Sequence, residues 1–203
     1  MTLKSYISNQ VKSYFGRKSR WSIATDMIFI VLLVLMLIPA SRKEIIIGVR
    51  KITMKQPQAS IKSSTDLKEI DYNWAYQTSE GEVIDFKKLK NKVVFLNFWS
   101  TKCPHCIAEL KSIENLYAEY NGKIEFILLT HENPSNVKRF LKKENYNIPF
   151  YLTYGYVPEV FNSPFIPATY IISKEGKIVI NKTGPARWDG DEMKSFFNDL
   201  VNK

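Results

Sequence analysis

The only two cysteines of this 203-residue chain are separated by two residues, in Cys103-Pro104-His105-Cys106. The β-branched and aromatic run Lys92–Trp99, KVVFLNFW, reads as a buried strand directly before them. Cys106, Leu110, Ile113, Tyr117 and Tyr120 recur at helical spacing directly after, and Asn121-Gly122 stops the pattern. Cys103 therefore opens a helix, where unpaired backbone N–H groups and the macrodipole favour a thiolate. Pro104 presets the φ of a first helical turn. His105, when charged, adds positive potential. Cys106, one turn in, is close enough to close a disulfide with Cys103. Such a pair can attack a substrate disulfide through Cys103, and Cys106 then resolves the mixed disulfide.

Three other chemistries compete. A structural zinc site needs four ligands, and only His105 and His131 remain to complete two cysteines. His105 lies inside the loop, poorly placed to ligate with its neighbours, so no metal is expected. A purely structural disulfide would close too small a loop to stabilise much. Two inert core cysteines sit badly with a strand–CxxC–helix context. Redox chemistry fits best.

The elements that must position this motif follow from periodicity and turn chemistry. Trp74-Ala75-Tyr76 and Glu82-Val83-Ile84 read as strands around Ser79-Glu80-Gly81, and Ile124–Thr130 as a second buried strand. Asn133-Pro134 opens a helix through Glu144, with Asn as N-cap and Pro in the first turn. Phe150–Thr153 is a further short strand. Ala168–Ser173 and Lys177–Lys182 form a hairpin across Lys174-Glu175-Gly176. Asp189-Gly190 starts a last helix with Met193, Phe196, Phe197 and Leu200 facing inward. This order implies an α/β fold, a mixed sheet flanked by helices.

The charge belongs to a different part of the chain. The total is +9, yet residues 66–203 hold eighteen basic and eighteen acidic residues. Residues 1–20 carry five basic residues and no acid, and residues 21–65 carry six against Asp26 and Glu44. A nucleic-acid surface on the folded domain is thereby excluded. Residues 1–20 read as a basic cytoplasmic tail and 21–40 as a transmembrane anchor. The stretch Met27–Ile38 is unbroken apolar sequence, and eighteen helical residues span roughly 27 Å, just enough for a bilayer core. A cleaved signal peptide is the rival reading, with Ile38-Pro39-Ala40 a poor cleavage site. Residues 41–65 read as a juxtamembrane segment and linker, and 66–203 as the catalytic domain. Lys and Arg are balanced across the span, so charge alone does not orient it.

The stretch Asn97-Phe98-Trp99-Ser100-Thr101-Lys102-Cys103-Pro104-His105-Cys106-Ile107-Ala108-Glu109-Leu110 resembles the active site of membrane-anchored, thioredoxin-like thiol:disulfide oxidoreductases of the TlpA/ResA type. CPHC by itself also resembles the motif of DsbA-type oxidases. The resemblance implies a thioredoxin-like fold with no cofactor beyond a redox-active disulfide, and makes Cys103 the nucleophile and Cys106 the resolving thiol. Glu109 matches the family's active-site glutamate, one turn beyond Cys106, where a partly buried carboxyl exchanges protons with the thiols. Ile166-Pro167 matches the family's cis-proline opposite the CxxC, leaving the Ile166 backbone to pair with a substrate strand; Pro149 is the decoy. Lys102 stands where the family usually has Trp, making the rim beside Cys103 cationic. Asn97 stands where thioredoxin keeps a buried Asp, which leaves proton transfer to Glu109.

The resemblance further implies protein thiol or disulfide substrates, apocytochrome c among them, and a membrane electron donor. It places the protein in the bacterial cytoplasmic (inner) membrane by a single pass, with its domain facing the periplasm or exterior. A reductase is the expected direction, and a DsbA-like oxidase the alternative. A peroxidase would want Thr where Ser100 stands. A copper-delivery protein would want a wider cysteine spacing with a distant His such as His131. A non-catalytic binding module would show no turnover.

Overall fold

The computed structural model describes residues 19–37, 39–57 and 65–203. Most of the basic tail (1–18), Ile38 and part of the linker (58–64) lie outside the described residues. The chain divides into two compact units, Met1–Ile45 and Ile46–Lys203. The first contains helix α1 (Arg20–Leu37) and the start of α2 (Pro39–Thr53). Among the described residues no helix is long and apolar enough to cross a membrane.

In the second unit, eight strands among the described residues form one mixed sheet. They are β1 (Thr65–Asp66), β2 (Ala75–Thr78), β3 (Val83–Asp85), β4 (Val94–Phe98), β5 (Glu125–Thr130), β6 (Tyr151–Tyr154), β7 (Ala168–Ile172) and β8 (Lys177–Thr183), in the order β1-β8-β7-β4-β5-β6-β2-β3. At its centre, β4 runs parallel to β5, with Phe98 opposite Leu129, and antiparallel to β7, with Phe98 opposite Ala168. Helices α3 (Pro104–Tyr120) and α4 (Pro134–Glu144) are the crossovers from β4 to β5 and from β5 to β6. The last helix is α5 (Asp191–Asn202).

Successive residues of β4 face opposite sides of the sheet. Phe95 joins a core with Cys106, Leu110, Ile113, Trp188 and Phe197, while Leu96 joins Trp74, Phe86, Phe161 and Tyr170. The mixed sheet agrees with the sequence reading; the placement of the helices differs. Helices α3, α4 and α5 all feed the first cluster, and 3-10 turns at Glu69–Tyr72, Phe86–Leu89 and Glu159–Phe161 fill the second with aromatic rings. The cause is topological. Two right-handed crossovers that step in the same direction along the sheet leave both helices on the same face.

The segment read as a spacer also differs. Ile47 is buried against Ile107 and Ala108 of α3, and Met54 and Phe140 pack beside it. Beyond α2, the Arg187 N–H donates to the Lys55 carbonyl (3.0 Å), and the Met193 N–H to Gln56 Oε1 (3.3 Å). The folded unit therefore begins upstream of residue 66. Composition averages EIIIGVRKITM into a mixed stretch; a helix separates it, placing Ile47 and Met54 seven residues apart on one face while Arg50 and Lys51 stay exposed.

Candidate active site

Strand β4 ends at Phe98, and Trp99 makes the last link to its neighbour, its N–H donating to Leu129 O (3.0 Å). The chain then turns through Ser100–Lys102 into α3. Cys103 is the N-cap residue, with extended backbone, and its Sγ accepts the Cys106 N–H at 3.2 Å; Pro104 is the first helical residue. Cys103 and Cys106 are joined as a disulfide with their Cα atoms 5.2 Å apart. Cys106 is fully buried in the core, while Cys103 stays partly exposed. The Ile166–Pro167 peptide is cis. It directly precedes β7, whose pairing with β4 brings this loop across from the motif, and Ile166 O lies 3.7 Å from Cys103 Sγ. Adjacent strand ends thus bring together a partly exposed sulfur and a backbone edge.

Glu109 is fully buried, beyond the partial burial the sequence suggested. Its Oε2 accepts hydrogen bonds from the Ala186 N–H (3.0 Å) and the Trp188 indole Nε1 (3.3 Å), and its Oε1 accepts from Asn97 Nδ2 (3.0 Å). Burial pushes its pKa up to about 7, against the pull of those three donors and the charge of Lys182. A carboxyl one helical turn from Cys106 that ionises near neutral pH can give and take protons as the thiols turn over.

One residue beside the site escaped the sequence reading. Glu132, in the loop after β5, accepts from the Thr101 N–H at 2.6 Å and the Thr101 hydroxyl at 2.7 Å, so it anchors the turn that leads into Cys103. Its burial works against ionisation, but the bonds from Thr101 and Ser100 and the charge of Lys102 hold its pKa below the usual carboxylate range. The rim beside Cys103 is therefore not simply cationic: Lys102 faces the field of an ionised carboxylate. The signal was indirect, since parallel β4 and β5 must bring residues 99–103 and 131–133 together, but nothing in His131-Glu132-Asn133 marks which side chain turns inward.

His105 has a buried Nδ1 without a hydrogen-bond partner. His131 Nδ1 lies 2.6 Å from Thr153 Oγ1, away from the cysteines' own hydrogen bonds. Among the described residues no group of three or more His, Cys, Asp or Glu could hold a metal ion. A cavity of about 550 Å³ opens beside the motif between Ser100, Glu132, Tyr156, Ile166 and Ala168.

The redoxin family model matches residues 56–200, the greater part of the chain. The chain belongs to the redoxin family. Within it, this redoxin is 35% identical over 132 residues to the thiol-disulfide oxidoreductase ResA of Halalkalibacterium halodurans, covering 64% of this chain and 73% of that one. It is 32% identical over 133 residues to ResA of Bacillus subtilis, covering 64% and 71%. Solved structures share the fold. StoA from Bacillus subtilis superposes with a TM-score of 0.50 at 22% identity, covering 69% of this chain and 99% of its own. A secreted Mycobacterium tuberculosis disulfide oxidoreductase homologous to DsbE does so with a TM-score of 0.52 at 22% identity, covering 66% and 98%. This redoxin is a thioredoxin-like thiol:disulfide oxidoreductase of the TlpA/ResA type. The only two cysteines of the chain are joined as the Cys103–Cys106 disulfide.

Proposed function

We propose that this redoxin is a membrane-anchored reductase of protein disulfides on the outer side of the bacterial cytoplasmic membrane. One observation carries the catalytic part: Cys103 sits at a helix N-terminus beside the open Ile166 backbone, with Cys106 buried behind it and Glu109 one turn further. In the reduced protein the Cys103 thiolate attacks one sulfur of a substrate disulfide, and the departing substrate sulfur takes up a proton. Cys106 loses its proton and attacks Cys103 Sγ, which releases the second substrate thiol and leaves the Cys103–Cys106 disulfide. Two electrons pass from the dithiol to the substrate, with one proton from Cys106 and one from water. Glu109 is the exchange partner for the Cys106 proton.

The direction is supported by the carboxylates. Whatever stabilises the thiolate favours the reduced form and raises the potential. His105 and Lys102 push that way, while Glu109 near Cys106 and ionised Glu132 near Cys103 oppose them. The anchor is supported by Met27–Val34, apolar on every side of α1 and about half exposed throughout. A reductase outside the membrane needs electrons, and a membrane dithiol protein is their proposed source. Haem-attachment cysteines of exported apocytochromes, or misformed disulfides, are the proposed substrates.

Insulin reduction with dithiothreitol as the electron source tests the catalytic reading. Turnover should vanish in Cys103→Ser, and Cys106→Ser should accumulate a mixed disulfide with substrate. Wild-type protein without turnover, or a trap formed through Cys106 instead, would contradict it.

A further inference from the structure

Glu109 and its partners pose a question of hydrogen placement. The carboxyl meets three donors: the Ala186 N–H and the Trp188 indole on Oε2, and the Asn97 amide on Oε1. An ionised carboxylate satisfies all three. A protonated one carries an O–H that must find an acceptor in a fully buried site. Neither a backbone N–H nor an indole N–H can become an acceptor, so Oε2 has no place for the proton. Only the Asn97 side chain can reverse its role, because turning the amide about its last torsion exchanges oxygen for nitrogen.

Two further observations fit that reversal. Asn97 is fully buried, and its Oδ1 has no hydrogen-bond partner, so no donor holds the amide in this orientation and turning it exchanges one unpartnered atom, Oδ1, for the other, Nδ2. Its Nδ2 is shared between Glu109 Oε1 and the Thr169 hydroxyl, the latter at 2.8 Å. A hydroxyl accepts or donates as required. With the amide turned, Oδ1 occupies the shared position and accepts from both the Glu109 O–H and the Thr169 O–H.

We infer that Asn97 is a positioning residue that works as a proton-coupled amide switch, donating to ionised Glu109, accepting from protonated Glu109, and confining the exchangeable proton to Oε1. The inference rests on the reading of Glu109 as the proton-exchange group. The charged and titratable groups around Glu109 are few. Cys106 lies on its own helix, and Cys103 and His105 are at the start of that helix. Lys182 on β8 acts from the sheet side, and Arg187 and Asp189 of the following loop pair with each other at 3.1 Å.

Oxidised full-length protein isolates the switch, because the disulfide cysteines do not titrate. The Asn97 side-chain amide is followed by 1H–15N NMR across the Glu109 titration. Above the midpoint, nuclear Overhauser contacts should connect the amide hydrogens to Thr169; below it they should be lost as the nitrogen turns away. Glu109→Gln presents an N–H donor in place of the protonated O–H, so it should lock the amide in the low-pH orientation at every pH. Contacts that persist through the titration, or a Glu109→Gln spectrum like that of the ionised wild type, would overturn the switch. The role of Glu109 itself is read separately, from the pH profile of turnover in Glu109→Gln. A flattened profile beside an immobile amide removes the switch and leaves the proton role standing.

Discussion

Burial of Glu109 ties folding stability to pH with a definite sign. In the folded oxidised protein the carboxyl holds its proton up to about 7, whereas an unfolded chain releases it near 4.5. Between those values the folded state binds more protons, so stability falls as pH rises through that window and levels off above it. The cost above the window is on the order of 3 kcal/mol. Glu109→Gln should flatten the dependence, seen as urea midpoints that no longer fall toward alkaline pH. A wild-type midpoint independent of pH would contradict the burial argument. Glu132 has the opposite sign: its depressed pKa contributes stability above the unfolded value, which is lost as pH falls through the folded one. Glu132→Ala leaves the Thr101 N–H and hydroxyl without their acceptor and should cost roughly 1–3 kcal/mol in chemical denaturation. The pairing of the two cysteines was legible from their spacing, and Glu109 from the family resemblance with its helical offset in support. Asn97, Ala186 and Trp188 were not legible as its partners, because their contacts join β4, α3 and the loop before α5 across separations that no local pattern encodes.

At the scale of elements, local signals were strong where turn chemistry is strong. Asn133 with Pro134 opens α4, its Oδ1 accepting the Ser135 N–H at 2.9 Å, and Asn145 closes the helix in the left-handed conformation. Gly176 turns the β7–β8 hairpin with a positive φ of 75°. Helix α2 was the weak case, since its two core positions are diluted by charged neighbours and its partners, Ile107 and Ala108, lie far along the chain. Its packing gives a specific expectation. Ile47→Ala uncovers the outer face of α3 directly after Cys106 and should cost roughly 2 kcal/mol. A domain begun at residue 66 should melt below one begun at residue 46, in a scanning calorimeter. Equal melting temperatures would show that α2 contributes nothing to the fold.

For the whole molecule, the +9 of the sequence resolves into a neutral stretch, residues 66–203, and a basic N-terminal segment whose Arg50, Lys51 and Lys55 already belong to the folded unit. That division supports attachment to a membrane, and the proposed chemistry orients it: a reductase of exported proteins works outside, with its N-terminus inside. Protease added to intact spheroplasts should clip the catalytic domain, and full protection would reverse the topology. The direction of electron flow is the central claim, because His105 and Lys102 beside Cys103 argue for an oxidant while Glu109, Glu132 and the ResA likeness argue for a reductant. An equilibrium titration of the Cys103–Cys106 pair against glutathione weighs these directly. A reductase should show a midpoint potential below about −250 mV, in the range of thioredoxin; a value above about −150 mV, in the range of DsbA, would contradict that direction.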